Sequence, residues 1–461
     1  MKSFLYACIA AWSLLALTVT TSAAESPSPE TGMALTLDDC IRMALKAAPE
    51  LGEADSDIAL AGSKLDEAKS YRFPRLEMTA LVGPAPTANR SDIYPDVRTD
   101  RGFSFDALTW FTSADATIIQ PLYTFGKISE NMKAATHGIE VDRSRKQQRA
   151  NEIVQQVNEY YNGLLLAREM KELVLEVQEI LLKSREKAQK LLDQGSDTVD
   201  QMDLYKLDAF SGMAEKYLEE AKKGEALALA ALKARMGMPV DAQLETGTER
   251  LVIVDVEIPP LENYIQSARQ RRPEFHQIAE GLKARTALVE AAKANYYPDI
   301  FLGGLFSWSF ADGRDRIQNP YVNDQFNHLN AGVALGARWK LDFGITGAKV
   351  AGERAQYNRL LSTRDFADAN VPLQVKKYYL ELVEAKNSAA ATRGAYMNAK
   401  KWAVTAIANF DFGLGPAKDI FEALQAYSTM RADFFKSIYN YRIATANLDY
   451  ATNEPLHSHQ K

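Results

Sequence analysis

The chain has 461 residues, 46% hydrophobic and 25% charged, with a net charge of −6. This is the balance of a folded protein with room for a large core or for two or three domains. No stretch is strongly basic, which excludes nucleic acid as a partner, and no Ser/His/Asp arrangement, HExxH or CxxC spacing points to an enzyme, a metal or another cofactor.

In chain order, Lys2 precedes an uncharged run from Phe4 to Val19 that ends in Ser22-Ala23-Ala24, the pattern of a secretory signal over residues 1–24. A plain membrane anchor is the alternative for this run. Leu5-Tyr6-Ala7-Cys8 faintly resembles a lipidation site, but the apolar stretch before it is too short. Cleavage after Ala24 leaves Cys40 as the sole cysteine. Beyond the leader there is no run of 18 apolar residues, so an exported chain of this kind is soluble or crosses a membrane as a β-barrel.

The remainder reads as one unit written twice. Leu37, Ile41, Ala44, Pro49 and Glu50 return as Leu261, Ile265, Ala268, Pro273 and Glu274, and Phe73-Pro74 as Tyr297-Pro298, all at an offset of 224. Phe125-Gly126, Tyr160-Tyr161 and Gly195 return as Phe343-Gly344, Tyr378-Tyr379 and Gly413 at an offset of 218. A duplication with a small difference in loop length explains both offsets. The repeats run over 25–247 and 248–453, followed by a disordered tail, 454–461, that carries His457 and His459. Each repeat reads as a short helix, a medium helix, a strand pair, a very long helix, a turn and a long helix.

The strands are predicted at about 76–86, 104–121, 299–311 and 328–343. Leu329, Ala331, Val333, Leu335, Ala337, Trp339 and Leu341 alternate with Asn330, Gly332, Ala334, Gly336, Arg338 and Lys340. Alternate residues share a face, so this strand has one oily side and one thin, polar side. Ile300, Leu302, Phe306, Trp308 and Phe310 repeat the pattern, as do Leu76, Met78, Ala80 and Val82, whereas 104–121 alternates poorly. Pro121 is expected where that strand gives way to helix. The charged loops 87–103 and 312–327 are expected in solvent.

From Lys127 to Asp193 there is no proline, and Ile153, Val157, Tyr160, Leu164, Ala167, Met170, Val174, Val177 and Leu181 recur in steps close to a heptad seam. A second long helix is expected from about Ile345 to Phe410, with a kink or local break at Pro372. Partner helices at about 198–236 and 416–452 complete two hairpins, 127–236 and 345–452, turning at Gln194-Gly195-Ser196-Asp197 and Gly413-Leu414-Gly415-Pro416.

An apolar strand face meets a soluble core or lipid. Export, the polar loops on one side of the strands with helices on the other, and the small strand number favour lipid. Four strands cannot close a membrane barrel, the smallest of which use about eight, and open edges in lipid are forbidden. Several copies must then pool strands; three would give twelve, with the Gly-, Ala- and Ser-rich faces lining a lumen.

These segments resemble the TolC family of outer membrane efflux proteins. The resemblance covers nearly the whole mature chain and rests on LTLDDCIRMALKAAPEL from Leu35, QPLYTFGK at 120–127, YYPDIFLGG at 296–304, LDFG at 341–344 and GLGPAKDIFEALQA at 413–426, in that order. It implies a mainly α fold with a β-barrel part: a homotrimer with a twelve-stranded barrel in outer membrane lipid over a periplasmic α-helical barrel. It also implies an exit duct for efflux or type I secretion, working with a periplasmic adaptor (membrane fusion protein) and an inner-membrane RND, ABC or MFS transporter. The alternative from another class is a periplasmic coiled-coil scaffold or adaptor with a β-domain.

Asp419 and Glu422 lie three apart at the start of a helix, hence on one face. As residues alone they are equally helix-start acids favoured by the macrodipole. The resemblance matches them to an acidic pair that rings the periplasmic entrance in family members, with Asp200 and Asp203 as weaker candidates. The family's basic partner position falls on Gly415, which leaves Lys418 as a substitute. The turns, with Gly195, Ser196, Gly413, Leu414 and Gly415, are expected to dock the adaptor because they end the hairpins. Asp342-Phe343-Gly344 spells a kinase motif, but with no accompanying motif it reads as a strand-to-helix corner.

Overall fold

The computed structural model describes residues 35–88, 108–195, 199–239, 241, 242, 244, 250–253, 257–317, 319, 321 and 323–454. The expected signal over 1–24, Arg90 to Arg98 of the first strand-connecting loop, Ser196 and the tail histidines lie outside the described residues.

Helices α1 (Leu37–Ala47) and α2 (Pro49–Ser70) lead into β1 (Arg75–Pro86) and β2 (Leu108–Tyr123), then into α3 (Lys127–Asp193) and α4 (Gln201–Arg235). The order then recurs: α5 (Leu261–Arg271), α6 (Pro273–Lys293), β3 (Asp299–Ala311), β4 (His328–Arg338), α7 (Ile345–Asp411) and α8 (Ala417–Thr452). Local chemistry sets the ends. Thr36 and Asp39 form a capping box at the start of α1, and Pro49 and Pro273 open α2 and α6, where a missing N–H costs nothing. Each long helix leaves its strand through a Phe-Gly corner at positive φ: Phe125 at 49° and Gly126 at 93°, Phe343 at 39° and Gly344 at 148°. The phenylalanines sit where a side chain is disfavoured, so the corner is held by its surroundings.

α3 and α7 have 67 residues each, about 100 Å at the usual rise. α3 packs on α2, α4, α6 and α8, and α7 on α6 and α8. Ile153, Val157, Leu164 and Leu181 of the expected seam are buried, while Tyr160, Ala167, Met170, Val174 and Val177 are half-buried. Tyr161, Leu165 and Leu173 are buried beside them, because neighbours flank α3 on more than one side.

Pro372 does not break α7, which continues through it. The Asp368 carbonyl loses its helical donor. The flanking Val371 and Val375 are buried against α5 and α8 together with Leu382, Tyr441 and Leu448, and this packing holds the turn. Two strand boundaries also differ from expectation. β2 runs past Pro121, which lies inside it at an irregularity in the register with β3 where an absent N–H is tolerated, and the expected start at 104–107 lies outside the described residues. β4 stops at Arg338: the Trp339 Nε1–H donates to the Tyr296 carbonyl at 3.1 Å, and the Thr346 amide donates to Asp342 at 3.0 Å, so 339–344 forms the corner instead.

Glu169, on α3 beside the seam, is buried. Burial first, and the charge of Glu172 second, push its carboxyl above the ordinary range, against a hydrogen bond from the Leu251 backbone. The folded chain then keeps this proton at pH values where the unfolded chain has lost it. Stability therefore rises as pH falls from the raised value towards the ordinary value of 4.5. Glu169→Gln is expected to remove this rise and to raise the melting temperature at neutral pH; thermal melts across a pH series check both.

Candidate functional site

The strands form one antiparallel sheet in the order β1-β2-β3-β4, so β1 and β4 are edges. The register puts Met78, Ala116, Phe306 and Ala331 side by side across the sheet, and likewise Leu76, Ile118, Gly304 and Val333. One face therefore carries the apolar set of all four strands, and none of the described residues covers it: Leu76, Met78, Val82, Leu302, Phe306, Leu329, Val333 and Leu335 are exposed. Aromatic rings stand at both ends of this face. Trp110, Trp308 and Phe310 mark one end; Tyr123, Phe125, Tyr297, Trp339 and Phe343 mark the other, with Phe125 stacked on Tyr297 at 4.9 Å. From Ile300 to Phe310, ten residues at about 3.4 Å, tilted about 40°, reach about 26 Å, the height of the apolar band of an outer-membrane barrel. Among the described residues no helix is long and apolar enough to cross a membrane.

The opposite face carries Glu77, Thr79, Ser113, Asp115, Thr117, Ser307, Ser309, Asn330 and Gly332, with Leu81 and Leu305 among them. Below it, between α2, α3, α6 and α7, opens a cavity of about 1390 Å³ whose polar lining includes Arg75, Glu77, Arg338 and Arg359. Lys127 reaches Asp299 at 2.8 Å across this wall. Glycines keep the face thin: a Cβ on Gly336 would lie 2.6 Å from the Phe301 ring.

The hairpin turns lie at the far end of the long helices. Gly413, at φ 70°, donates to the Phe410 carbonyl at 3.0 Å and Leu414 to the Asn409 carbonyl at 2.8 Å, a Schellman end that requires glycine's freedom. Gly195, at φ 71°, closes α3 with the counterpart of the first of these bonds, donating to the Leu192 carbonyl at 3.0 Å. Phe412 and Leu414 project beyond the helix ends, each 79% exposed. Asp419 and Glu422 are exposed on α8, while Ala417, Ile420, Phe421 and Leu424 bury its other side against Leu181, Leu204 and Leu207. Lys418 lies 3.6 Å from Glu422, and both are exposed, so the pair contributes little. Gly415 leaves no room for a basic side chain without movement: a Cβ there would sit 3.2 Å from that of Asn409. Asp200 and Asp203, at the same end, form the reciprocal capping box of α4, with Lys206 donating to Asp203 at 3.2 Å.

Sequence reasoning missed a buried link higher on the hairpins. Arg431 of α8 donates to Glu176 of α3, and the Tyr427 hydroxyl donates to the same carboxylate at 2.8 Å. The signal was readable: Arg431 continues the apolar stripe Ile420, Leu424, Tyr427 four residues on, a charge where a core residue belongs. Among the described residues no group of His, Cys, Asp and Glu side chains is placed to hold a metal ion.

The model of the family described as outer membrane efflux protein matches residues 40–233 and 264–454, most of the chain and once per repeat. The chain belongs to the outer membrane efflux protein family. A search of curated protein sequences found no match. Among solved structures this efflux-family chain is similar to the outer-membrane channel OprN, with 16% identity, a TM-score of 0.75 and coverage of 91% of this chain and 90% of that one. It is also similar to the outer membrane protein VceC of Vibrio cholerae (16% identity, TM-score 0.73, 91% and 96% covered) and to the outer membrane channel CmeC of Campylobacter jejuni (17%, 0.73, 93% and 90%). At these identities the likeness is one of fold: long helical hairpins carrying a small antiparallel sheet.

Proposed function

We propose that three copies of this chain form an efflux duct across the bacterial outer membrane, extending into the periplasm. The observation that carries this is the sheet: an uncovered apolar face about 26 Å tall, a polar opposite face, and two unpaired edges. An open edge is not tolerated in lipid, so β4 of one copy pairs with β1 of the next until a twelve-stranded barrel closes around the polar face. The long helices continue the tube below. A soluble scaffold would leave the oily face in water, which disfavours that reading.

The hairpin ends then form the periplasmic entrance. Three copies bring six carboxylates from Asp419 and Glu422 around the axis, a ring that attracts cations. The exposed Phe412 and Leu414 offer the periplasmic adaptor an apolar contact, and an inner-membrane transporter supplies the energy. Purified protein reconstituted in a planar bilayer tests the reading: a heat-modifiable trimer that conducts supports it, and a monomer without conductance ends it. In the same assay Asp419→Ala with Glu422→Ala is expected to raise conductance and to lower the preference for cations. Unchanged values of both would remove the ring from the account.

A further inference from the structure

The connection between β3 and β4 was expected to stand in solvent. Asp315, Arg316 and Tyr321 are exposed, as expected, while Arg314 and residues 324–327 are tied to the polar face of the sheet. Residues 313–315 cross the start of β2 to reach the end of β1: Ala88 donates to the Gly313 carbonyl at 3.3 Å, Asp315 to the Ala88 carbonyl at 2.9 Å, and the Arg314 side chain to the Pro86 carbonyl. The returning segment is pinned at Asp324, whose carboxylate accepts the backbone N–H groups of Ile317, Phe326 and Asn327 at 3.0, 3.0 and 3.1 Å. Asn327 bonds the Ala311 amide through its Oδ1 at 3.0 Å, and its Nδ2 donates to the Arg314 carbonyl at 3.2 Å. Phe326 packs edge-on against Phe111 at 5.3 Å, with the Arg314 guanidinium 4.1 Å above its ring.

The sheet fastens the segment from below. The Ser309 hydroxyl donates to the Gln325 carbonyl at 3.1 Å, and the His328 ring lies with Nδ1 2.9 Å from the Asp324 carbonyl and Nε2 2.7 Å from Ser307, whose hydroxyl donates to Asp115 at 2.6 Å. Burial separates the two faces. Ala85, Ser113, Ser309 and Ala311, all on the polar face at this end, are covered, whereas Trp110, Trp308 and Phe310 on the apolar face at the same level are open.

We infer that this loop is an inward-folded plug that occludes the outer mouth of the barrel. The inference rests on the duct reading above, since it takes the polar face as the lumen. Dimensions carry it the rest of the way. Twelve strands about 4.8 Å apart and tilted about 40° enclose a backbone radius of about 12 Å. A layer packed on a sheet takes about 10 Å. Three loops related by the barrel axis therefore meet near the centre. Cargo passes only when they lift, and the Asp324 and His328 contacts set how often they do.

Thiol labelling of intact cells tests this independently of the periplasmic end. A cysteine in place of Thr117, exposed on the polar face below the loop, is treated with a membrane-impermeant maleimide added outside; the native Cys40 is buried. Labelling is expected to be slow with the native loop. It should accelerate at least about tenfold with Asp324→Ala, the shift in open population that about 1.4 kcal/mol gives. It should accelerate further when 314–326 is replaced by Gly-Ser-Gly. Equal rates in all three overturn the plug while leaving the duct intact. In the Gly-Ser-Gly background, labelling of Val333→Cys on the apolar face as fast as of Thr117→Cys overturns the assignment of lumen and lipid, and with it both readings.

Discussion

Val333→Arg is expected to prevent assembly in the outer membrane. Val333 lies in the middle of β4 on the apolar face, 77% exposed, opposite Gly304. An arginine at the midplane of a barrel costs about 2–4 kcal/mol per copy, hence about 6–12 kcal/mol for three copies, comparable to the whole stability of a typical domain. The control is its neighbour: Ala334→Arg points to the polar face beside Gly303 and is expected to assemble. Heat-modifiable trimers in the outer membrane fraction report both variants. Normal trimers from Val333→Arg would mean that this face never meets lipid.

The second large effect is asymmetric. Glu176→Ala should destabilise the chain by about 3–5 kcal/mol, whereas Arg431→Met should cost far less. The two side chains pair, but they are not equally buried: Arg431 is 10% exposed and Glu176 44%. Burial is the largest single influence and opposes the charge of Arg431, and only the hydrogen bonds and charges of Glu176 and Tyr427 together outweigh it, holding the guanidinium's pKa above its ordinary value. Removing Glu176 strands a buried cation that keeps the Tyr427 hydroxyl and the Phe435 and Tyr427 rings but loses its hydrogen-bonded carboxylate. Removing Arg431 leaves a carboxylate that water reaches, and methionine fills the space. Tyr427 follows the same logic, with burial and then the Glu176 carboxylate pushing its hydroxyl well above the usual phenol range. Equilibrium unfolding of the two variants compares the costs directly. Because the pair ties α3 to α8, it also ties one hairpin to the other, and Glu176→Ala should loosen the tip below it.

Much of this was legible along the chain because the signals are local. An alternation of Leu329, Ala331, Val333 and Leu335 with Asn330, Gly332 and Ala334 fixes a two-faced strand whatever surrounds it. The duplicated Phe-Gly pairs mark the corners because only a few residues tolerate positive φ there, and Gly195 and Gly413 mark the helix ends for the same reason. The expected break at Pro372 is absent because propensity speaks for an isolated helix, and here two buried valines and the helices around them outweigh one lost hydrogen bond. Arg431 stands out locally on its apolar stripe, but its partner Glu176 lies 255 residues away and so was not legible.

The sequence alone determined the period of three strands and of the first long helix, the order of elements written twice and the presence of an oily face too large for four strands to hide. Only the tertiary structure decided where charges are buried and paired, that Asp200 and Asp203 serve a helix cap, and that the loop around Asp324 is fastened to the polar face. The reason is range. Periodicity is imposed by backbone geometry over a few residues, whereas the worth of a carboxylate or an arginine depends on which distant donor, ring or water reaches it, and folding alone brings those together.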